Sequence, residues 1–553
     1  MNADIDVLYI HPARRSDCPM FNLMSVGVVG LMNLLRAQGY RVRGVNCGIE
    51  KRLDPRFYLE GWLGGYQPRI IFVDLHWYEH AYGAIEAVRT CKKLYPMIPI
   101  ALGGISASVF SHEILSSFPE VDFILRGDCE EPIVALVDAV LHSNDSDLHL
   151  VPNLSWRRNG EVVENEQSFT LKSFGGIDFV SIDFLEHWPM YYHMGIAEFV
   201  DCEPNFWLPI ARGCQFDCCF CSGGRESQKR IFKRDQLILR NIDDVHQDLQ
   251  RLTKLGVIRV NLSHDPACLG ESYWRKFLDP VKRFSSSLGV YLEFFQLPSI
   301  PFLKALFEFF NVDRSILIFT PISGNEKVRS EGGKHFTNQQ FLNVIEHCKR
   351  YGVEVGIYFS SNLPFENLQT FQESIELARS LIRIYPPDKL YVINQQIALD
   401  PECPMYRDPE RYGIIRQFTS FQDYYDYCRD LPNKLQHSDN GFFTTLIDRA
   451  TLTAMYHGWD LEINFERLQR FPWNEVTLEI TPDGVVLIYK NQRVMVSYIV
   501  GDLCGFLQSL NLPLSCSQVG FSWPGNMVYE AVKELDTFVT QLYTDKRKRE
   551  QCV

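Results

Sequence analysis

Three closely spaced cysteines are the residues of this 553-residue chain best suited to do chemistry. Cys214, Cys218 and Cys221 stand in the stretch A-R-G-C-Q-F-D-C-C-F-C-S-G-G (residues 211–224), at spacing C-x3-C-x2-C. An apolar segment, residues 206–210, precedes them and reads as a strand. Thiolates are the ligands of iron–sulfur clusters. Three of them on one tight loop can hold three irons of a [4Fe–4S] cube and leave the fourth without a protein ligand. An open metal position is a place for chemistry, as at a catalytic zinc. The alternative is a structural zinc loop completed by Cys219 or by a distant Cys or His. Such loops present paired C-x2–4-C units with a second pair downstream, and no second pair occurs here. Cys219 reads as an extra thiol packed inside the loop.

The loop needs a frame, and residues 206–410 supply one by alternating strands and helices. A helix over 242–255 leads to a strand at 257–262, which runs into Ser263-His264-Asp265. Further strands read at 290–295, 316–319, 353–359 and 390–397, and Thr337 with Gln340 forms a capping box for the helix before Gly352. Six such units predict a partial (β/α)6 barrel, whose site lies on the loops at the carboxyl ends of the strands. Asp265, Glu293, His335 and Glu366 are polar residues at that mouth. A lone polar residue at a strand end is more often structural than catalytic, so no catalytic residue is assigned.

Residues 1–142 show a second α/β alternation. Strands read at 5–10, 42–46, 70–75, 98–102 and 121–125, with helices at 26–37, 84–94, 114–118 and 133–141. Five strands in this length predict a flavodoxin-like doubly wound parallel sheet, with ligands beyond its carboxyl ends. Those ends run into His76-Trp77, into Gly103-Gly104-Ile105-Ser106, and into Gly127-Asp128-Cys129-Glu130-Glu131. Adjacent glycines allow a backbone to approach a large ligand. Residues 143–150 are polar, and 151–165 read as a hairpin with a type I′ turn at Asn159-Gly160. Residues 166–205 are irregular and complete a linker over 143–205.

The cysteine motif at the end of a first barrel strand, with Arg212-Gly213 before it and Phe220 inside it, resembles the signature of the radical S-adenosylmethionine (SAM) superfamily. L-G-G-x-x-A followed by V-D-x-x-x-x-G-D-x-E-E-P, with the first helix S-V-G-V-V-G-L-M-N-L-L-R-A-Q-G-Y, is similar to the cobalamin-binding domain that precedes many such enzymes. The same group carries a hairpin between its two main domains. The resemblance is therefore to the cobalamin-dependent, class B methyltransferase-like radical SAM enzymes. It implies a [4Fe–4S] cluster on Cys214, Cys218 and Cys221, with SAM on the open iron. It implies cobalamin against His76, Trp77, Gly103, Gly104, Ser106, Gly127 and Glu130, and SAM contacts at Phe220, Ser263, Ser323 and Asn362. The D-x-H-x-x-G motif is absent, as in this subgroup, which puts His76 or Trp77 near the lower face of cobalt. The chain departs from the pattern twice: no glutamate precedes Ser323-Gly324, and Ser263-His264-Asp265 replaces a glycine-rich run.

The implied reaction is hydrogen abstraction from an unactivated carbon by a 5′-deoxyadenosyl radical, then methyl transfer from methylcobalamin. A second SAM remethylates the cobalamin. A cyclisation, oxidation or ring rearrangement with no methyl gained is the alternative, and a non-catalytic cobalamin or redox sensor is a third reading. The substrate is expected to be a small molecule or natural product, and the electron donor a flavodoxin or ferredoxin type of protein.

Composition agrees with this. Hydrophobic residues at 46% and charged at 22% are those of a soluble globular protein. A net charge of −13 argues against general nucleic-acid binding. No apolar run reaches the length of a membrane span. The acidic start M-N-A-D-I-D carries no sign of a signal peptide, and residues 546–549 read as a solvated basic tail. Sixteen cysteines without framework spacing point to the reducing cytoplasm. Residues 411–553 form an expected α+β extension that closes the substrate cavity, with a hairpin over 476–480 and 485–489. Cys428, Cys504, Cys516 and Cys552 are too dispersed there for an auxiliary cluster.

Overall fold

Val7, Leu8 and Ile10 have no exposed surface, so β1 (Ala3–His11) is covered on both faces, as a central strand of a parallel sheet must be. It pairs in parallel with β2 (Val42–Asn46) on one side and with β3 (Tyr66–Asp74) on the other. β4 (Ile100–Gly103) and β5 (Phe123–Leu125) continue the parallel order β2-β1-β3-β4-β5. Strand order reverses at β1, so the crevice beyond the carboxyl ends of β1 and β3 is the switch point where ligands of such sheets bind. Helices Val26–Ala37, Ala81–Leu94 and Glu130–His142 turn apolar residues inward.

The structure is a computed structural model that describes residues 3–14, 24–142, 145–193, 203–282, 285–430, 440–489, 492–509 and 525–551. Cys516, Cys552, residues 143–144 of the expected linker and residues 194–202 of the connector lie outside the described residues.

The expected hairpin forms, with Asn159 at φ 54° and Gly160 at φ 87°, the two left-handed residues that a type I′ turn requires. Its strands β6 (Leu154–Arg158) and β7 (Glu161–Glu164) do more than link. β6 pairs antiparallel with β5, Trp156 opposite Phe123, and the sheet grows to seven strands. The buried run Leu154, Ser155 and Trp156 needs a partner, and β5 has an open edge to give it.

The chain divides into two compact units, one of residues 1–293, 301–315 and 398–443, the other of 294–300, 316–397 and 444–553. The first unit holds the seven-stranded sheet and a second parallel set. There β8 (Asn205–Leu208) pairs with β11 (Arg259–Leu262), which pairs with β12 (Gly289–Phe294). A short antiparallel ribbon pairs β9 (Ala211–Arg212), just before the cysteine loop, with β10 (Ile238–Leu239), which follows it. Asn261 Nδ2 donates to Asn205 Oδ1 at 2.8 Å inside the β8–β11 pair.

In the second unit β13 (Ile316–Ile322), β14 (Glu354–Ser361) and β15 (Leu390–Gln396) are parallel. Helix Asn338–Tyr351 begins with the expected Thr337/Gln340 capping box. The hairpin foreseen after residue 476 gains a third strand, Gln492–Val496, and packs its Val485 and Leu487 with Phe465, Leu503 and Leu535 of the surrounding helices. Glu466, 1% exposed, is held by Arg379 at 2.8 Å and by Arg383 at 2.7 Å. Among the described residues no helix is long and apolar enough to cross a membrane.

Candidate cofactor site

The carboxyl ends of β1, β3, β4 and β5 open into a cavity of about 1270 Å³, mouth included. Its apolar wall includes Phe72, Leu102, Leu125, Ile133, Phe174 and Phe179, while Asp74, His76, Asp128, Glu130, Arg212 and Arg234 supply polar groups. All of these residues belong to the first unit. Burial holds the His76 imidazole below its ordinary pKa against the opposing pull of Asp74.

The two glycines of the expected ligand-binding turn do different work. A Cβ on Gly104 would lie 2.4 Å from His76 Cα, and φ is +116°, so the packing of β3 against β4 alone demands glycine. A Cβ on Gly103 would meet only the Leu125 carbonyl, at 3.9 Å, and Gly103 lines the cavity. Gly103 therefore leaves room for a ligand. Gly127 and Glu130 also line the cavity, and one Glu130 carboxylate oxygen is buried without a partner. A broad apolar wall, a missing side chain and an unclaimed acceptor fit a large flat ring fringed with amides, as cobalamin is.

Ser106 stands behind the wall, its Oγ donating to the His76 carbonyl at 3.2 Å. Trp77 does not line the cavity; its ring meets that of His76 edge-on at 4.7 Å.

Ala211 and Arg212 form part of the cavity wall, and Cys214 follows two residues later. The cysteine loop closes where the Arg225 amide donates to the Phe216 carbonyl at 2.9 Å and the Cys221 amide to the Cys218 carbonyl at 3.2 Å. Backbone amides of Phe216 and Gly223 point at the Cys214 and Cys221 sulfurs, at 3.5 and 3.2 Å. Such donors stabilise thiolate charge and help set cluster potentials. Burial pushes the Cys221 thiol up, and the neighbouring Asp400, Cys218 and Cys214 push it further. Three thiols that oppose one another's ionisation give up protons to a metal when it binds.

Among the described residues no three His, Cys, Asp or Glu groups converge closely enough for a single metal ion. A four-iron cube makes no such demand, since its ligands bind separate irons. Cys219 is fully buried, and its carbonyl accepts the Met405 amide at 2.9 Å, as expected of a packing residue.

The residues expected to touch SAM fall in both units. Phe220 is half-buried in the cysteine loop, and Ser263, at the end of β11, lines the cavity. His264 donates to the Gly213 carbonyl at 2.8 Å and so braces the loop. In the second unit Ser323 is fully buried, its Oγ accepting the Asn325 amide at 3.1 Å. Asn362 sits in a left-handed turn at φ 64° above Glu366, whose carboxyl is pushed up to about 8 by burial. Asp265 accepts the Ala267 amide at 2.9 Å and caps a turn, Glu293 accepts from Tyr291 at 2.5 Å, and the His335 amide donates to Gln296 at 2.9 Å. These are structural bonds. Asp128, Arg212 and Arg234 were visible as residues, but their meeting in the cavity wall joins segments far apart in the chain and leaves no local signal.

In fold the chain is similar to solved cobalamin-dependent radical SAM enzymes. It is similar to TsrM, a radical SAM methyltransferase from Kitasatospora setae whose structure contains cobalamin and a [4Fe–4S] cluster. The match has a TM-score of 0.60 and 14% identity, over 98% of this chain and 100% of that one. A second TsrM structure, with tryptophan substrate and a SAM analogue bound, matches with a TM-score of 0.59 and 13% identity, over 90% of this chain and 95% of that one. Among curated relatives, the anaerobic magnesium-protoporphyrin IX monomethyl ester cyclase of Cereibacter sphaeroides is 30% identical over 145 residues, or 26% of this chain. This chain thus spans only 22% of that relative's length. The hopanoid C-3 methylase of Methylococcus capsulatus is 22% identical over 445 residues, 78% of this chain and 70% of the relative. No protein-family model matches the sequence.

Proposed function

We propose that the chain is a cobalamin-dependent radical SAM enzyme that methylates an unactivated carbon of a small molecule. One observation carries the reading: residues 211 and 212 belong to the wall of the large cavity, and the cysteine loop begins at residue 214. Two cofactor sites within a few residues of one another suit a reaction that needs both. When bound, the cluster and SAM supply hydrogen abstraction and cobalamin supplies the methyl group; the protein supplies placement and shelter from water.

In this reading Cys214, Cys218 and Cys221 hold the cluster. Gly103, Gly127, Glu130 and His76 face the corrin, while Gly104 and Ser106 shape the turn and Trp77 braces His76. Phe220, Ser263, Ser323 and Asn362 are the proposed SAM contacts. The proposed layout is a cobalamin domain at 1–142, a linker at 143–205, a radical SAM partial barrel at 206–410 and a closing C-terminal domain at 411–553. A flavodoxin or ferredoxin would deliver the electron, in the cytoplasm.

The second reading, cyclisation or oxidation without methyl gain, draws on the likeness to the cyclase. Anaerobic incubation with methyl-labelled SAM and a cell extract, followed by mass spectrometry, separates the two. Methyl transfer yields a labelled product, with 5′-deoxyadenosine and S-adenosylhomocysteine in comparable amounts. Substrate turnover with 5′-deoxyadenosine and no S-adenosylhomocysteine would replace the methyltransferase by the second reading.

A further inference from the structure

One ionic network joins the cavity wall to the cysteine loop. Arg212 reaches Asp128 Oδ1 at 3.1 Å and Glu130 Oε1 at 2.7 Å. Arg234 donates to the same Asp128 from Nη2 at 2.8 Å and from Nε at 3.3 Å. The Leu171 amide gives Asp128 Oδ2 another bond at 3.0 Å. The Asp128, Glu130 and Arg234 side chains are 1%, 8% and 5% exposed, and Arg212, at 21%, shows its remaining surface in the wall of the cavity.

The network spans two segments with different tasks. Asp128 and Glu130 follow β5 and shape the cavity, while Arg212 ends β9 two residues before Cys214. Backbone pairing of Arg212 with Ile238 and the His264 bond to the Gly213 carbonyl at 2.8 Å leave little slack between Arg212 and the first thiol. Any adjustment of the β5 loop around a ligand is therefore felt at Cys214. Asp128 has Arg234 and Leu171 to keep it satisfied without Arg212. Glu130 has Arg212 on one oxygen and no partner on the other.

We propose that Arg212 is a positioning residue that couples the two cofactor sites: its bridges to Asp128 and Glu130 transmit occupancy of the cavity to the backbone carrying Cys214. The inference rests on the reading that the cavity takes cobalamin and the loop a cluster. Coupling of this kind is reciprocal, so a loaded loop must change cobalamin affinity by the same factor as a filled cavity changes the loop.

The test measures the Kd of hydroxocobalamin for the full chain by absorbance, with and without an anaerobically reconstituted cluster. For the unaltered chain the two values should differ by about fivefold or more, the lower end of ordinary coupling. For Arg212→Gln they should agree within about twofold, and Arg212→Lys should restore part of the difference. The ratio is the readout, because a merely structural loss would weaken binding equally in both states. If Arg212→Gln does not fold, Glu130→Gln removes the charge from one arm and should shrink the ratio instead. Equal affinities in the unaltered chain, or a full ratio in the folded Arg212→Gln variant (or in Glu130→Gln), would overturn the coupling alone. A chain that takes up neither iron nor hydroxocobalamin would overturn the reading beneath it as well.

Discussion

His11 and Asp74 meet at 3.0 Å, Nδ1 to Oδ2, beside the cavity, with side chains 0% and 3% exposed. Burial alone would raise the Asp74 pKa; the His11 bond, helped by His11, His76 and His80 charge, holds it below the usual carboxylate value of 3.8. A depressed carboxylate stabilises the fold above its unfolded pKa and loses that effect as pH falls below it. Asp74→Asn should therefore destabilise the protein by about 3 kcal/mol at neutral pH. In denaturant unfolding the gap should narrow below about pH 4. A gap that stays constant from pH 7 to pH 3 would show that shape, not charge, is what Asp74 contributes.

The cysteine assignment predicts an uneven response to alanine. Cys214→Ala, Cys218→Ala and Cys221→Ala should each leave the reconstituted protein without its iron, sulfide and reduced-state EPR signal. Cys219→Ala should keep all three and lose about 1 kcal/mol of stability, since it removes a fully buried packing atom. Iron retained in Cys221→Ala and lost in Cys219→Ala would reassign the third ligand.

The adjacent glycines give a sharper pair. Gly104→Ala places a Cβ 2.4 Å from the His76 backbone at φ +116° and should prevent normal folding or cost about 2–3 kcal/mol of stability. Gly103→Ala meets nothing closer than 3.9 Å and should fold normally. It should still weaken hydroxocobalamin binding about tenfold, because its methyl group occupies the cavity. Unchanged binding in folded Gly103→Ala would move the ligand away from this wall.

Glu366 offers a test in the second unit. Burial raises its carboxyl from 4.5 to about 8 in the folded chain. Between these values the unfolded chain holds fewer protons, so stability falls as pH rises through the window and the whole penalty is present above pH 8. Glu366→Gln should match the parent protein near pH 5 and exceed its stability by about 2–4 kcal/mol at pH 9. Denaturant midpoints at the two pH values measure it; a variant weaker at both would mean that the acid proton makes a bond that an amide cannot replace.

What could be read from the sequence was local. The Thr337 capping box and the Asn159-Gly160 turn each depend on a few neighbouring residues, and each appears where the pattern put it. The strands of both parallel sets were legible because Ile, Val, Leu and Phe are concentrated in them. What stayed hidden depends on meetings across the chain. Nothing near residue 212 shows that its guanidinium finds Asp128, 84 positions earlier. Nothing near residue 104 shows that its glycine serves His76 and not a ligand. The SAM contacts were placed by resemblance at Ser323 and Asn362; in the fold the Ser323 hydroxyl accepts the Asn325 amide and meets the Ser374 hydroxyl, 51 positions away, and Asn362 occupies a left-handed turn.

The hairpin at 154–164 also bears on how the protein can be divided. β5 is three residues long, and without β6 it would present its free donors and acceptors to any passing strand. β7 ends the sheet with exposed Glu161 and Glu164, charges that discourage a further partner. A fragment cut at residue 142 should therefore be prone to stick to itself. One carried through residue 165 keeps its natural edge and is the better starting point for isolating the N-terminal sheet.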